Sequence, residues 1–511
     1  MVHSFTTSNS KIKELVDTSG LLFDLSAATE VLHWDQQTYM PPRGILHRSR
    51  QVATLSTIIH EKLTNPKVGR LLSQLEEQIA QDSSKFNLSD QALVREMRRD
   101  YDKATKLPEK LVRNLTEASS FGIEAWKEAK EKQDFSIFAP ALTRIVDLLR
   151  QKSDLIGYQG SPYNALLDDF EPGITESELT QIFEPLKQDL INLISKISTK
   201  QSSPINLLRG PEYDQAKMVA VTEKFLAKIG YDFESGRQDI SAHPFTIHFG
   251  HQDVRVTNRF NTRDLASAIF SAIHEGGHAL YELGVSDALA HTYVANGTSL
   301  GIHESQSRTW ENLIGRSLPF WRYWTPYLQA EFPEQLGPAT ADDLYHEVNQ
   351  VAPGFIRVDA DEVTYNLHII LRFEIERDLI EQKIKINDLP EIWNSKMQEY
   401  LGITPPNDSL GVLQDVHWSQ GYIGYFPTYS LGNLNAAQLW HQLTSDIKDV
   451  EKHIDSGNFE PILHWLRANV HQYGRVYEPK DLLKKVTGES LDPKYFTNYL
   501  HQKFTKLYDL K

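Results

Sequence analysis

The sequence predicts a mainly α protein, in one large domain over residues 1–511, and three observations carry that expectation. Apolar residues recur at helical spacing in one segment after another. Short polar loops join those segments, as in helical assemblies whose neighbours run antiparallel. Strand-like alternation is confined to residues 243–260. No low-complexity linker, internal repeat or shift of composition divides the chain.

The first helix is expected from Lys11 to Trp34, where Ile12, Leu15, Val16, Leu22, Leu25 and Val31 fall close to helical spacing. It runs into a stretch ending in Pro41-Pro42, a break. Further helices are expected over Ser49 to Leu63, Leu88 to Thr105, Pro108 to Lys132, Phe138 to Ile156 and Thr175 to Ser198. Asp82 to Lys85 and Thr199 to Pro204 read as loops. His243 to Gly250 and Asp253 to Phe260 are rich in β-branched and aromatic residues, which predicts two strands joined around Gly250 to Gln252. Next, Asn261 to Asp264 offers capping residues to a helix whose apolar positions are Leu265, Ile269, Phe270, Ala272, Ile273, Ala279 and Leu280. A turn-rich stretch from Asn296 precedes a second helix, Ile302 to Gly315. Asp361 is the expected N-cap of a long helix from Glu362 to Gln382. After the break at Pro405-Pro406 and a Gly- and Tyr-rich stretch, Leu434 to Leu510 returns to helices.

At 511 residues and 40% hydrophobic content the chain can bury a large core. Cysteine is absent, so disulfides and thiolate metal sites are excluded, and a reducing, cytoplasmic location is expected. The first residues lack a basic lead followed by an apolar run, and no stretch is apolar for long enough to span a bilayer; no membrane partner is expected. With 53 basic against 68 acidic residues the formal charge is -15, which argues against nucleic acid as a partner.

The chemistry is concentrated in His274-Glu275-Gly276-Gly277-His278, an H-E-x-x-H match. Four residues apart on a helix, the two imidazoles project from one face and can hold one metal ion. Glu275, on an adjacent side, can take a proton from water. Two glycines inside a helix cost about 1 kcal/mol each, which points to close approach by a second element or a substrate. Glu304 is the leading third ligand, completing a His2Glu set, with His303 as its competitor. The strands beside this helix can offer an edge to an extended peptide, or merely cover the core. Arg357 can grip a carboxylate with paired hydrogen bonds, or form a structural ion pair. Tyrosines between Gly421 and Tyr429 can stabilise an oxyanion or simply pack.

Laid out together, these segments resemble the carboxypeptidase Taq family, the M32 metallocarboxypeptidases. The resemblance covers nearly the whole chain: WDQQTYMPP from Trp34, HPF at His243 to Phe245, D-x-R-x-T at Asp253 to Thr257, HEGGH, HESQS at His303 to Ser307, IRVDAD at Ile356 to Asp361 and GVLQDVHW at Gly411 to Trp418. It implies a helical fold of the gluzincin and neurolysin type, with a deep groove and a small sheet beside it, assembled as a homodimer. It implies one divalent ion per chain, zinc or alternatively cobalt, on His274, His278 and Glu304, with Glu275 as general base. It associates Arg357 with the C-terminal carboxylate of the substrate, and the segments around His243, Arg255 and His417 with the groove. The oxyanion donor expected from this chain's own residues is His417 or a tyrosine such as Tyr425 or Tyr429. The implied reaction releases single amino acids, with broad specificity, from peptides with a free C-terminus. The rivals are a related oligoendopeptidase or dipeptidyl carboxypeptidase, and a non-catalytic helical protein that keeps a structural metal.

Overall fold

The computed structural model describes residues 5–200 and 205–510. Helices make up 68% of it and a three-stranded sheet is its β component, so the mainly α expectation holds. No helix among the described residues is long and apolar enough to cross a membrane.

The expected N-terminal helices lie at Ser10–Thr38, Ile45–Leu63, Leu88–Lys106, Glu109–Lys132, Ala139–Ile156 and Glu176–Ser198. Their starts follow local chemistry. Asn9 accepts hydrogen bonds from the Lys11 and Ile12 amides, and Thr175 forms a reciprocal capping box with Glu178. Two further helices, Pro66–Gln81 and Gln215–Ile229, occupy stretches left unassigned on sequence. Both carry a capping side chain, Asn65 and Asp214. Ser83–Lys85 is a 3-10 turn rather than an irregular loop, because Asp82 accepts from the Ser84 amide at 3.2 Å. The expected loop from Thr199 to Pro204 extends outside the described residues.

The chain forms two compact units. The first comprises Met1–Thr105, Ile205–Val348 and Leu439–Ser490; the second comprises Lys106–Pro204, Asn349–Gln438 and Leu491–Lys511. In the first, one core packs Ile269, Ile273 and Leu280 with Phe225, Phe320, Trp321 and Trp324, and another gathers Ile12, Leu15, Leu72, Leu93 and Met97. The second is built on Leu142, Phe183, Leu190, Ile370, Phe373 and Trp393. Each such fully buried aliphatic or aromatic side chain contributes about 1.5–3 kcal/mol, which is what holds elements distant in sequence together.

The sheet belongs to the first unit. Its strands β1 (Gln238–Ile240), β2 (Thr246–Gly250) and β3 (Asp253–Asn258) stand in the order β1-β3-β2. The expected hairpin is β2 and β3, antiparallel with Thr246 opposite Val256, and its register slips between His248 and Gly250. Gly250 takes φ 147°, a conformation closed to other residues, which lets the hairpin turn there. β1 pairs parallel to β3 and leaves β2 at an edge.

From β3 the chain enters the His274 helix, Leu265–Leu283, where Asp264 accepts from the Ser267 amide at 2.8 Å. The Glu304 helix spans Leu300–Arg308, capped by Ser299, and then widens into a π-helical turn over Thr309–Ile314. A single α-helix to Gly315 was expected. The Gly315 amide instead reaches back five residues to the Trp310 carbonyl, at 2.8 Å. The long helix of the second unit is Tyr365–Ile380, shorter than expected at both ends. Asp361 caps the turn leading into it, accepting from the Val363 and Thr364 amides at 2.9 and 3.0 Å.

Candidate metal centre

Gly276 and Gly277 explain how the centre is assembled. A Cβ on Gly277 would lie 2.6 Å from the Ser307 Cα and 2.8 Å from the Gln306 carbonyl oxygen. A Cβ on Gly276 would meet Leu226 Cδ2 at 2.7 Å. The Glu304 helix therefore crosses the His274 helix backbone against backbone, and the cost of the glycines is offset by that approach.

His274, His278 and Glu304 come together there, with their ligand atoms within 4.8 Å of one another. Glu304 Oε2 is 3.4 Å from His278 Nε2 and 3.7 Å from His274 Nε2. These are long for hydrogen bonds. They suit donors around one small cation, since bonds of about 2.0–2.2 Å in a tetrahedron separate ligand atoms by about 3.3–3.6 Å. The donor set thus fits a divalent metal ion.

Behind the three donors lies a layer of polar side chains. His274 Nδ1 is 2.8 Å from Glu311 Oε2, and His278 Nδ1 is 2.6 Å from His303 Nδ1, whose other nitrogen is 2.7 Å from Glu282 Oε1. With the Nδ1 atoms engaged in this way, both Nε2 atoms are left to face Glu304. Arg308 donates from Nε to Glu304 Oε1 at 2.7 Å and from Nη1 to Glu311 Oε2 at 3.0 Å, which leaves Glu304 Oε2 turned to the histidines. Partners of this kind fix ring tautomer and carboxylate orientation. His303 is therefore the support of His278 rather than a rival of Glu304.

Charge follows the same arrangement. Burial pushes Glu304 upward, but Arg308, His274 and His278 hold it well below the usual carboxylate range. Glu311 and Glu282 are likewise drawn against burial to about 2, the former chiefly by Arg308 and the latter by His248 and His303. Burial lowers His278 to about 4, a neutral imidazole at pH 7. Burial acts on His274 too, yet Glu304 and Glu311 outweigh it and raise its pKa. The negative charges of Glu304 and Glu311 thus favour a cation beside His274.

Glu311→Ala should weaken binding of a divalent ion by about 10–100-fold, because His274 loses the acceptor that orients it. Chelator competition measures this, and an unchanged affinity would refute the supporting role.

Glu275 is 7% exposed and sits beside β2. The Thr246 hydroxyl lies 2.7 Å from its Oε2 and 2.8 Å from its carbonyl oxygen. Burial, opposed by His274, raises its pKa above the ordinary carboxylate value, toward the range useful to a general base. Thr246, Glu282, Arg308 and Glu311 were not picked out on sequence. Glu282 could have been, since it follows His278 by one helical turn.

The other candidates of the first unit lie further along the sheet. Arg255 forks onto Asp253 with two bonds of 2.8 Å and stacks over Trp34 and Phe249, at 4.4 and 4.8 Å. The WDQQTYMPP and D-x-R-x-T segments thus meet through a cation–π contact. His243 is exposed, and its carbonyl oxygen accepts from the Ser241 hydroxyl.

Arg357, His417 and Tyr425 belong to the second unit. Arg357 is 5% exposed and donates from Nη2 to Asp415 Oδ1 at 2.9 Å and from Nη1 to the Tyr365 hydroxyl at 3.1 Å. Arg372 forks onto Asp415 Oδ2 at 2.8 and 2.6 Å. His417 is lowered to about 4 by burial, assisted by both arginines; its Nε2 is 3.4 Å from the Tyr429 hydroxyl. Tyr425 packs against Phe170 and His417, with ring centroids at 5.1 and 5.3 Å.

Glu376 anchors the loop carrying these groups. It accepts from Trp418 Nε1 at 2.7 Å, the Gly424 amide at 2.9 Å and the Tyr163 hydroxyl at 2.7 Å. Burial raises its pKa from 4.5 to about 7. The folded protein therefore keeps a proton that the unfolded chain gives up near pH 4.5. Its contribution is fully present below that pH and is lost as pH rises through about 7, a difference of about 3 kcal/mol. Glu376→Gln should flatten the decline in stability across this window, as read from denaturant unfolding at stepped pH. An unaltered slope would refute the assignment.

Residues 15–504 match the family model described as carboxypeptidase Taq (M32) metallopeptidase. Thermostable carboxypeptidase 1 of Pyrococcus furiosus is 41% identical over 498 residues, 97% of this chain and 99% of the relative. Carboxypeptidase 1 of Bacillus subtilis is 38% identical, covering 97% and 98%. The crystal structure of the M32 carboxypeptidase from Deinococcus radiodurans R1 superposes with a TM-score of 0.94 at 34% identity, over 98% of this chain and 100% of that one. A match of this extent, with the H-E-x-x-H helix assembled against Glu304, leads to one conclusion: the chain belongs to the carboxypeptidase Taq (M32) metallopeptidase family.

Proposed function

We infer that the chain is a metal-dependent carboxypeptidase that removes single amino acids, with broad specificity, from peptides with a free C-terminus. The observation that carries this reading is the His274, His278 and Glu304 donor set with Glu275 hydrogen-bonded beside it. One divalent ion held by these three residues would supply a Lewis acid that polarises the scissile carbonyl and makes water more acidic. Zinc is the proposed ion and cobalt the alternative, since two imidazoles and a carboxylate suit both.

In this reading Glu275 accepts a proton from the attacking water and returns it to the departing amine, while Thr246 steers its carboxylate. Arg357 binds the substrate's terminal carboxylate, and a buried, permanently charged guanidinium is suited to that task. Arg255 and His243 are assigned to the substrate chain further from the cut bond. His417 or Tyr425 is assigned to the oxyanion, as a neutral imidazole or a phenol able to donate. A homodimer and a cytoplasmic location complete the proposal. Family membership supports the first and a chain without cysteine the second.

The metal-loaded protein, given a peptide and sampled over time by mass spectrometry, should yield a ladder of products shortened by one C-terminal residue at a time. The C-terminally amidated peptide should resist. Internal cleavage of both forms would make the protein an oligoendopeptidase, and loss of residues in pairs a dipeptidyl carboxypeptidase.

A further inference from the structure

The charges buried in the second unit do not balance. Arg357, at 5% exposure, and Arg372, at 0%, both bond to a single carboxylate, Asp415. Neither guanidinium can shed its proton. Among the described residues, no second carboxylate lies within ion-pair distance of either arginine. The surrounding groups do not supply the missing charge. His368 and His417 are held neutral, Lys130 adds positive charge near Asp415, and Glu376, which forms no ion pair with either arginine, is held by burial as the uncharged acid up to about pH 7. Two cations share one anion, and the surplus is one positive charge.

The two arginines divide the carboxylate unequally. Arg372 takes Oδ2 with a closed fork of 2.8 and 2.6 Å and stacks over Trp393 at 4.6 Å. Arg357 makes one short bond to Oδ1, at 2.9 Å, with its Nε further off at 3.3 Å. An unbalanced buried charge is costly to folding, and a purely structural ion pair would need only one arginine. The excess has a use if an anion joins the cluster at Arg357.

We propose that Arg372 is a positioning residue that cancels the charge of Asp415, so that Asp415 can orient Arg357 without neutralising it and Arg357 stays cationic toward the carboxylate of the substrate. This rests on the assignment of Arg357 as the carboxylate anchor.

The test uses the full-length, metal-loaded enzyme with an N-blocked dipeptide acid as substrate and its C-terminal amide as competitor. Arg357→Met should raise KM for the acid by about 10–100-fold. Arg372→Met should raise it comparably, with kcat and the Ki of the amide within about threefold of wild type. Adding Asp415→Asn to Arg372→Met restores a single positive charge and should bring KM most of the way back. Arg372→Lys, which keeps the charge and loses the fork, should stay near wild type and carries the test if Arg372→Met does not fold. A double variant whose KM stays as high as that of Arg372→Met, or a lysine variant as impaired as Arg357→Met, overturns the proposal. If instead Arg357→Met leaves KM for the acid unchanged, the anchor assignment itself falls, and the charge-setting role with it.

Discussion

Glu275→Gln is expected to lower kcat by about 10²–10⁴-fold while leaving affinity for the metal ion within a few fold. The substitution is nearly isosteric, so the buried side chain should be replaced without repacking. Its amide oxygen can still accept from the Thr246 hydroxyl, now 2.7 Å from Oε2, so the side chain keeps its place. What disappears is the ability to accept a proton, which burial has enhanced by raising the carboxyl pKa. Single-turnover kinetics on the metal-loaded variant separate this loss from weaker binding. Retention of wild-type turnover would remove Glu275 from the reaction.

The legible parts of this molecule are those written in local periodicity and short-range chemistry. The N-terminal helices follow from apolar spacing and from caps such as Thr175 with Glu178. The helices at Pro66 and Gln215 carried the same signals and were passed over, although Val68, Leu71, Leu72 and Leu75 form a plain apolar stripe. β1 was not legible. Its three residues have no pattern of their own and become a strand only by pairing with β3. The π turn after Arg308 was hidden for a related reason, since a widened turn answers to packing that a sequence window does not contain.

The same boundary runs through the site. His274 and His278 announce themselves by spacing, and the adjacent glycines correctly foretold a close helix crossing. Glu311 reaches His274 from beyond that crossing, through the π turn, and no spacing rule points to it. Arg372 shows the point for charge. Inside a long helix it resembles any helix-favouring residue, and only the fold reveals that it shares Asp415 with Arg357.

Glu304→Ala should abolish turnover at stoichiometric metal and weaken the affinity of the centre by about 10²–10⁴-fold. Losing one of three protein ligands removes a share, about 3–5 kcal/mol, of the ~10–16 kcal/mol by which complete protein sites hold zinc. Two features make this larger than the Glu311 effect. Among the described residues, Glu304 Oε2 is the carboxylate oxygen that faces both imidazole Nε2 atoms, at 3.4 and 3.7 Å, and its charge is maintained by Arg308. Without it, Arg308 retains Glu311, so the fold should survive and the apoprotein should unfold close to the wild-type temperature. Millimolar zinc should then restore some turnover, because His274 and His278 remain buttressed by Glu311 and His303. Calorimetric titration of the apoprotein, read beside activity, decides the matter: wild-type affinity in the variant would mean that the ion is held elsewhere, and the three residues would lose their assignment together.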